Sequence, residues 1–306
     1  KDDIINTAKR LNVEEGAKFF RFLGAEPLLH PDIIEIIQEV STFSTTLLTT
    51  NGTLISENMA EKIVNSGLTY LYISYHSSNE HNDDSSAVKI TKQTINGIAA
   101  IDKAKKKLSS SINVIVTNVI TPANYKNVLK TAKMFKEFNV TTGFSPVHSM
   151  RQYLKKTYWN GQRAEYLGEN NNEPETLNFW QNIIFRFQVQ LLKSENRKLF
   201  IKPFYIVFSQ LLYLYRELQA LLVYTPCTKP YQRIAIRADG KIFPCEFLKT
   251  ISIGSIENEK LWNTKKRQEL IEMTRCGNLD ICKQCNRESL YRPTIWPLRL
   301  VKSLWR

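Results

Sequence analysis

Short apolar runs alternate with longer amphipathic stretches from the start of the chain to about residue 147. Phe19 to Leu23, Thr45 to Thr50, Tyr70 to Ser74, Ile112 to Asn118 and Thr142 to Pro146 have the length and the β-branched or aromatic content of strands. Asp32 to Val40, Glu57 to Ser66, Ala87 to Lys106 and Ala123 to Phe138 carry apolar residues at three-to-four spacing, as in Ile33, Ile36, Ile37 and Val40. Each therefore has one face to bury as a helix. A further helical pattern covers Asp3 to Leu11. Strand–helix alternation at this spacing predicts a parallel sheet, because parallel neighbours need crossover connections of a dozen residues or more. Ligands of such sheets sit at the carboxyl ends of the strands, so the residues just after each strand carry the chemistry.

Beyond Leu154 the alternation stops. Residues 160–176 are polar and contain Gly161, Gly168, Asn170 to Asn172 and Pro174, the composition of a loop or hinge. Leu177 to Leu192 and Pro203 to Leu222 then read as helices rich in Phe, Leu and Tyr, with an aromatic stripe that suits a core or an inter-domain surface. The most apolar stretch, Leu199 to Tyr224, has a longest uncharged run of 13 residues, Pro203 to Tyr215. That is too short to span a bilayer, and a buried helix is expected. After Pro226 a hairpin is predicted, with strands at Ile234 to Ile236 and Ile242 to Phe243 around the turn Ala238 to Gly240. The chain thus divides into 1–150, an α/β segment; 151–225, a helical linker or insert; and 226–306, a small cysteine-rich α+β segment.

With 306 residues, 42% hydrophobic and 23% charged, the chain is long enough for a sizeable core and more than one domain. Its net charge of +13 is spread along helices and loops, which allows nucleic acid, an acidic peptide or an anionic membrane surface without demanding any of them. The cysteines are more informative. All five lie between Cys227 and Cys285, and the first 226 residues contain none. A tight turn between Cys282 and Cys285 brings two sulfurs to one side, and a second pair across a longer loop would complete four thiolates around zinc or an iron–sulfur cluster. Cys227 and Cys245 are the candidates for that pair, while Cys276 is a substitute ligand, a core residue or a spare. Ordinary buried thiols or disulfides are the alternatives, and nothing in the chain resembles a secretory segment. The sequence starts at Lys1 with a helical pattern already under way, as expected of a fragment or a processed product.

The first strand runs into Gly24-Ala25-Glu26-Pro27, where small residues let a ligand approach the backbone, a carboxylate can accept from an ammonium, and proline fixes the turn. Later strands end in Thr49-Thr50-Asn51-Gly52 and in Tyr72-Ile73-Ser74-Tyr75-His76. A further one, Ile115 to Ile120, contains Asn118 and is followed by Pro122 and Asn124. In this order, over residues 16–147, the segments resemble the radical S-adenosylmethionine superfamily, whose second strand ends in Gly-Gly-Glu-Pro; here Ala25 stands for the second glycine. The C-terminal part resembles that superfamily's SPASM and twitch domains. Gly240 to Cys245 matches their Gly-x-x-x-x-Cys hairpin, Cys227 the cysteine before it, Ile253 to Ile256 and Leu261 to Thr264 the middle segments, and Cys282 with Cys285 the closing pair. With no cysteine after Cys285 it looks like the shorter, one-cluster twitch form. The superfamily's Cys-x-x-x-Cys-x-x-Cys loop is not among the 23 residues before Gly24, so it is expected upstream of Lys1.

The resemblance implies an α/β fold: a partial (β/α)6 TIM-like barrel lacking its first strand, followed by the helical region and the cysteine-rich domain. It implies that Gly24, Ala25, Glu26 and Pro27 cradle the amino group of S-adenosylmethionine, and that Ser74 and Asn118 approach its ribose or carboxylate. Asn51 belongs to the same set, although a Thr-Asn-Gly turn also serves plain strand-end geometry. Cys227, Cys245, Cys282 and Cys285 would hold an auxiliary [4Fe–4S] cluster, and the catalytic cluster would come with the upstream loop. The implied activity is reductive cleavage of S-adenosylmethionine to a 5′-deoxyadenosyl radical that modifies a peptide or small-molecule substrate. The electron would come from a donor such as flavodoxin or ferredoxin, in the cytoplasm. No catalytic side chain is assigned: His76, His81 and His148 lie near the mouth, and His30 reads as structural. The tail 295–306 puts Leu298, Val301 and Trp305 beside Arg299, Lys302 and Arg306, which suits packing on its own domain or contact with an anionic membrane surface. Two other readings are a non-catalytic binding protein that kept the barrel but lost the loop, and a zinc-bearing nucleic-acid binder, with nucleic acid the less favoured partner.

Overall fold

The computed structural model describes residues 1–76, 85–146, 177–193, 232–245, 252–258 and 264–275, with isolated positions at 158–159, 162–163, 207–208, 210–211, 215 and 262. They belong to two units, 1–147 with 176–192, and 148–175 with 193–306.

The first unit alternates α1 (Asp2–Glu15), β1 (Phe19–Phe22), α2 (Ile33–Ser41), β2 (Thr45–Thr50), α3 (Glu57–Asn65), β3 (Tyr70–Tyr75), α4 (Ser85–Leu108), β4 (Asn113–Ile120), α5 (Val128–Phe135) and β5 (Thr141–Pro146). The strands form one sheet in the order β1-β2-β3-β4-β5, every neighbour parallel, as the alternation predicts. Helix ends follow local chemistry. Gly16 takes the left-handed conformation that closes α1, and the Ser56 hydroxyl accepts from the Met59 N–H to open α3. Helix α5 starts five residues later than the apolar spacing suggests, at Val128. Asn124 explains the delay: its Oδ1 accepts from the Thr121 N–H and its Nδ2 donates to the Val119 carbonyl, which holds residues 121–127 in turns.

One face of the sheet, with Leu48, Leu71, Ile73, Tyr75, Val114 and Val116, packs on Ile37, Ile63, Ile98, Ile101 and Phe135 from the helices. The alternating positions Thr49, Tyr72, Ser74, Ile115, Thr117 and Val119 occupy the opposite face and are half-buried. Strand phase therefore decides which residues can meet a ligand on that face.

At the amino end of β5 the main chain of Asn139 is gripped from α4. Its N–H donates to Asp102 Oδ1 at 2.9 Å, and its carbonyl accepts from Lys105 Nζ at 2.9 Å. Burial opposes ionisation of Asp102, but hydrogen bonds from Lys106 Nζ (2.6 Å) and the Asn139 N–H together hold its pKa below the usual aspartate value. Because the folded pKa is depressed, this carboxylate stabilises the fold above its unfolded pKa of about 3.9, and the stabilisation disappears as pH falls through the folded value. Asp102→Asn is expected to cost about 1–2 kcal/mol at neutral pH and to make the acid limb of urea-denaturation stability shallower than in the parent protein. Equal acid limbs in the two proteins would remove Asp102 from this role.

The described residues of 151–225 fall into both units. Tyr158–Trp159 (β6) pairs antiparallel with Gln162–Arg163 (β7) in the second unit, whereas α6 (Phe179–Lys193) packs on the first unit. The physical reason is an apolar patch formed by Ile120 and Val128, which Leu177 and Phe185 cover. Gln188 Nε2 adds a 2.8 Å hydrogen bond to the Tyr125 carbonyl. Of the helix expected over 203–222, Val207, Phe208, Gln210, Leu211 and Tyr215 are described; they are helical, but Val207, Phe208 and Leu211 are well exposed where burial was expected.

The second unit contains the expected hairpin, β8 (Ala235–Ile236) and β9 (Lys241–Phe243), with Gly240 at φ +74° in its turn. A third strand, β10 (Gly254–Ser255), joins the other edge of β9, and α7 (Lys265–Arg275) follows. The Arg237 guanidinium lies 3.8 Å from the Phe243 ring centroid, a cation–π contact across the hairpin.

Candidate cofactor site at the strand ends

Beyond β1 the chain leaves the sheet through Gly24 and Ala25, both exposed. A β-carbon added at Gly24 would meet nothing within 4 Å, so the backbone there faces open space that a ligand can fill. Glu26 follows in an extended conformation and caps the 3-10 turn Pro27–Leu29, its Oε1 accepting from the Leu28 N–H at 3.1 Å. Pro27 opens this turn without an N–H to satisfy.

The Glu26 carboxylate also reaches β2. Oε1 accepts from Thr50 Oγ1 at 2.7 Å and Oε2 from the Asn51 N–H at 2.8 Å. These bonds use three of roughly four acceptor positions on a carboxylate. The side chain is thus a bridge between two strand ends, with one acceptor position left for a ligand. The exposed Gly24–Ala25 main chain is the more accessible part of the motif.

Asn51 serves its own turn. Its Oδ1 accepts from the Thr53 N–H at 2.8 Å and from Thr53 Oγ1 at 2.6 Å, while Gly52 at φ +77° donates its N–H to Thr50 Oγ1 at 3.0 Å. Ser74 lies on the sheet face away from the helices, opposite Thr117 in the register, and on that face Arg21 Nε donates to Thr49 Oγ1.

Asn118 takes the other face of the sheet. It follows Val114 and Val116 in the phase that packs on the helices, is fully buried, and donates through Nδ2 to Thr131 Oγ1 of α5 at 3.4 Å. Its side chain and that of Ser74 therefore lie on opposite faces of the sheet and do not converge. Asn118 Oδ1 has no hydrogen-bond partner although buried, a penalty of about 1–3 kcal/mol unless a polar group meets it.

Helix α4 contributes residues that the motifs did not indicate. Thr94 Oγ1, on a buried side chain, donates to the Asn51 carbonyl at 2.9 Å, and Thr91 Oγ1 to the His76 carbonyl at 3.1 Å. A glycine inside a helical pattern was the available signal for close approach at this helix: a β-carbon at Gly97 would come within 2.3 Å of the Gly52 carbonyl oxygen. Desolvation pushes the His76 imidazole below its usual pKa, and His30 Nδ1 accepts from the Asp32 N–H, a structural role as expected. His81 and His148 lie outside the described residues.

Among the expected metal ligands, Cys245 stands two residues beyond β9, half-buried and outside any disulfide. Ile256 donates its N–H to the Gly240 carbonyl, which ties this hairpin to the segment after β10. A thiol held beside a hairpin suits a thiolate-ligated cluster. Cys227, Cys282 and Cys285, with Cys276, lie outside the described residues.

The radical SAM superfamily model matches residues 1–148, and the model of SPASM, an iron–sulfur cluster-binding domain, matches residues 227–286, limits that enclose all five cysteines. The chain is 38% identical to the GTP 3′,8-cyclase of Microcystis aeruginosa over 80 residues, 25% of this chain and 24% of that protein. It is 24% identical to the GTP 3′,8-cyclase of Aquifex aeolicus over 242 residues, 76% of this chain and 67% of that protein. The matches thus span about a quarter of the first relative's length and about two thirds of the second's. The solved structure of BtrN in complex with AdoMet and 2-DOIA is 12% identical, covering 94% of this chain and 80% of that one at a TM-score of 0.43. With both family models in chain order, the chain carries a radical SAM domain over residues 1–148 and a SPASM-type iron–sulfur domain over residues 227–286.

Proposed function

We propose that this protein is a radical SAM enzyme that modifies a small-molecule substrate, with an auxiliary [4Fe–4S] cluster on Cys227, Cys245, Cys282 and Cys285. The observation that carries the reading is the open Gly24–Ala25 turn, braced by Glu26 against β2 at the carboxyl end of a parallel sheet. The Gly24–Ala25 main chain would hold the amino group of S-adenosylmethionine, and the remaining acceptor position of Glu26 would orient it. The Ser74 hydroxyl, on the open face, would meet a polar part of the nucleotide. Asn118, facing α5, would act through its unpartnered Oδ1 only on a group that reaches behind the sheet. When bound beside a [4Fe–4S] cluster, S-adenosylmethionine supplies hydrogen abstraction from unactivated positions, chemistry that amino-acid side chains lack.

The GTP 3′,8-cyclase names of the relatives favour a small molecule over a peptide. An electron donor such as flavodoxin or ferredoxin and a cytoplasmic location fit this reading. Among the described residues, no helix is long and apolar enough to cross a membrane.

Anaerobic reconstitution of the protein with iron and sulfide tests the proposal. S-adenosylmethionine should be cleaved to 5′-deoxyadenosine under reduction, and Cys245→Ser with Cys282→Ser should lower bound iron by about four atoms per chain. Cluster-loaded protein that binds the nucleotide without cleaving it would point instead to a non-catalytic binder. Zinc in place of iron would remove the auxiliary cluster.

A further inference from the structure

The turn after β2 is held from two sides. Glu26 takes the Thr50 hydroxyl and the Asn51 N–H on one side. On the other, α4 meets the Asn51 carbonyl through Thr94, the Gly52 carbonyl at Gly97, and the His76 carbonyl through Thr91. These three α4 residues follow one another at intervals of three, so they lie close together along one side of the helix.

Both threonines share their hydroxyl hydrogen with a carbonyl of their own helix, Ala87 for Thr91 and Ile90 for Thr94. Such back-bonding brings a helical threonine no net gain, so the strand-end carbonyls give these hydroxyls their purpose. Thr94 is the better placed of the two, being 3% exposed and leaning its methyl toward Gly52, where a β-carbon would lie 3.5 Å from it.

We infer that Thr94 is a positioning residue for the S-adenosylmethionine site: it sets the height of α4 against the Asn51–Gly52 turn, and through Glu26 the placement of the Gly24–Ala25 main chain. The inference rests on the function proposed above. The path is contiguous and short. The Thr94 hydroxyl holds the Asn51 carbonyl, the same residue's N–H holds Glu26 Oε2, and Glu26 Oε1 caps the turn that Gly24 and Ala25 enter. No atom of Thr94 needs to touch the nucleotide. Small displacements at the start of such a path cost affinity at its end, because the main-chain groups that meet a ligand have little freedom to compensate.

The test uses the full-length protein, with Thr94→Val, which keeps the shape and removes the hydroxyl, and Thr94→Ser, which keeps the hydroxyl. Calorimetric binding of S-adenosylmethionine, and of S-adenosylhomocysteine as an uncleavable probe, should weaken about tenfold in Thr94→Val and stay within about twofold in Thr94→Ser. The KM for S-adenosylmethionine should rise in Thr94→Val with kcat at saturation near the parent value, a split that loss of folded protein does not produce. Hydrogen exchange should quicken at residues 50–53 in Thr94→Val alone. Parent protein that binds neither ligand overturns the function proposed above and this inference with it. If the parent binds both and Thr94→Val binds them equally well, the positioning role alone is overturned. A Thr94→Ser variant as weak as Thr94→Val also overturns it.

Discussion

Gly97→Ala is expected to destabilise the first unit by about 2–4 kcal/mol, although the same change in an ordinary helix interior would stabilise it by about 1 kcal/mol. Gly97 lies well inside the 24-residue helix α4, so helix propensity argues for the alanine. Packing argues against it more strongly. The new β-carbon would stand 2.3 Å from the Gly52 carbonyl oxygen and 3.2 Å from Ile55 Cβ. The contact at Gly52 is main chain, and it has nowhere to go. Gly52 is held at φ +77° with its N–H on Thr50 Oγ1, and a β-carbon there would already press on Ile73 Cγ2 at 2.8 Å. Helix α4 must therefore retreat from the sheet, lifting Ile98 and Ile101, both fully buried, out of the core. Urea denaturation followed by far-UV circular dichroism reads the loss as a lower midpoint. A Gly97→Ala protein at least as stable as the parent would mean that α4 does not lie against the Asn51–Gly52 turn.

Much of the first unit is legible from the chain because each element carries its own periodicity. The strands appear within two residues of their expected limits, since buried parallel strands are continuous apolar runs bounded by turn residues. What periodicity does not contain is the partner of each face. The stripe of Leu177 and Phe185 announces burial, but that it covers Ile120 and Val128 depends on an approach between residues some sixty positions apart. Strand β10 is two residues long and forms only because β9 offers it an edge, which is tertiary information. Asn118 shows that strand phase, and not strand position alone, decides the face a residue takes. It is polar and near a strand end, yet it shares the phase of Val114 and Val116, which face the helices. That phase was readable from the alternation. The bridge made by Glu26 was not, because its partners lie 24 and 25 residues on and one of them is a main-chain N–H.

Glu26→Gln, the most conservative change that removes this charge, is expected to cost about 2 kcal/mol in protein that has never met S-adenosylmethionine. The carboxylate accepts on both oxygens, from the Leu28 N–H and the Thr50 hydroxyl on one and from the Asn51 N–H on the other. A carboxamide has an acceptor on one side only. If its oxygen faces Leu28, its NH2 group confronts the Asn51 N–H; if it is turned over, the NH2 group confronts the Leu28 N–H. In the second arrangement the Thr50 oxygen can accept from the NH2 group beside its bond from Gly52, but the Leu28 N–H is still left facing a donor. Either way a partly buried main-chain donor meets another donor, at a cost beyond the bond it loses. Amide exchange at Leu28 and Asn51 should then quicken roughly thirtyfold, the equivalent of about 2 kcal/mol at tenfold per 1.4 kcal/mol. The absence of ligand makes the measurement decisive. A glutamate kept only for the nucleotide's ammonium would leave the ligand-free protein indifferent to the amide, whereas a glutamate that joins two strand ends makes itself felt before any ligand arrives.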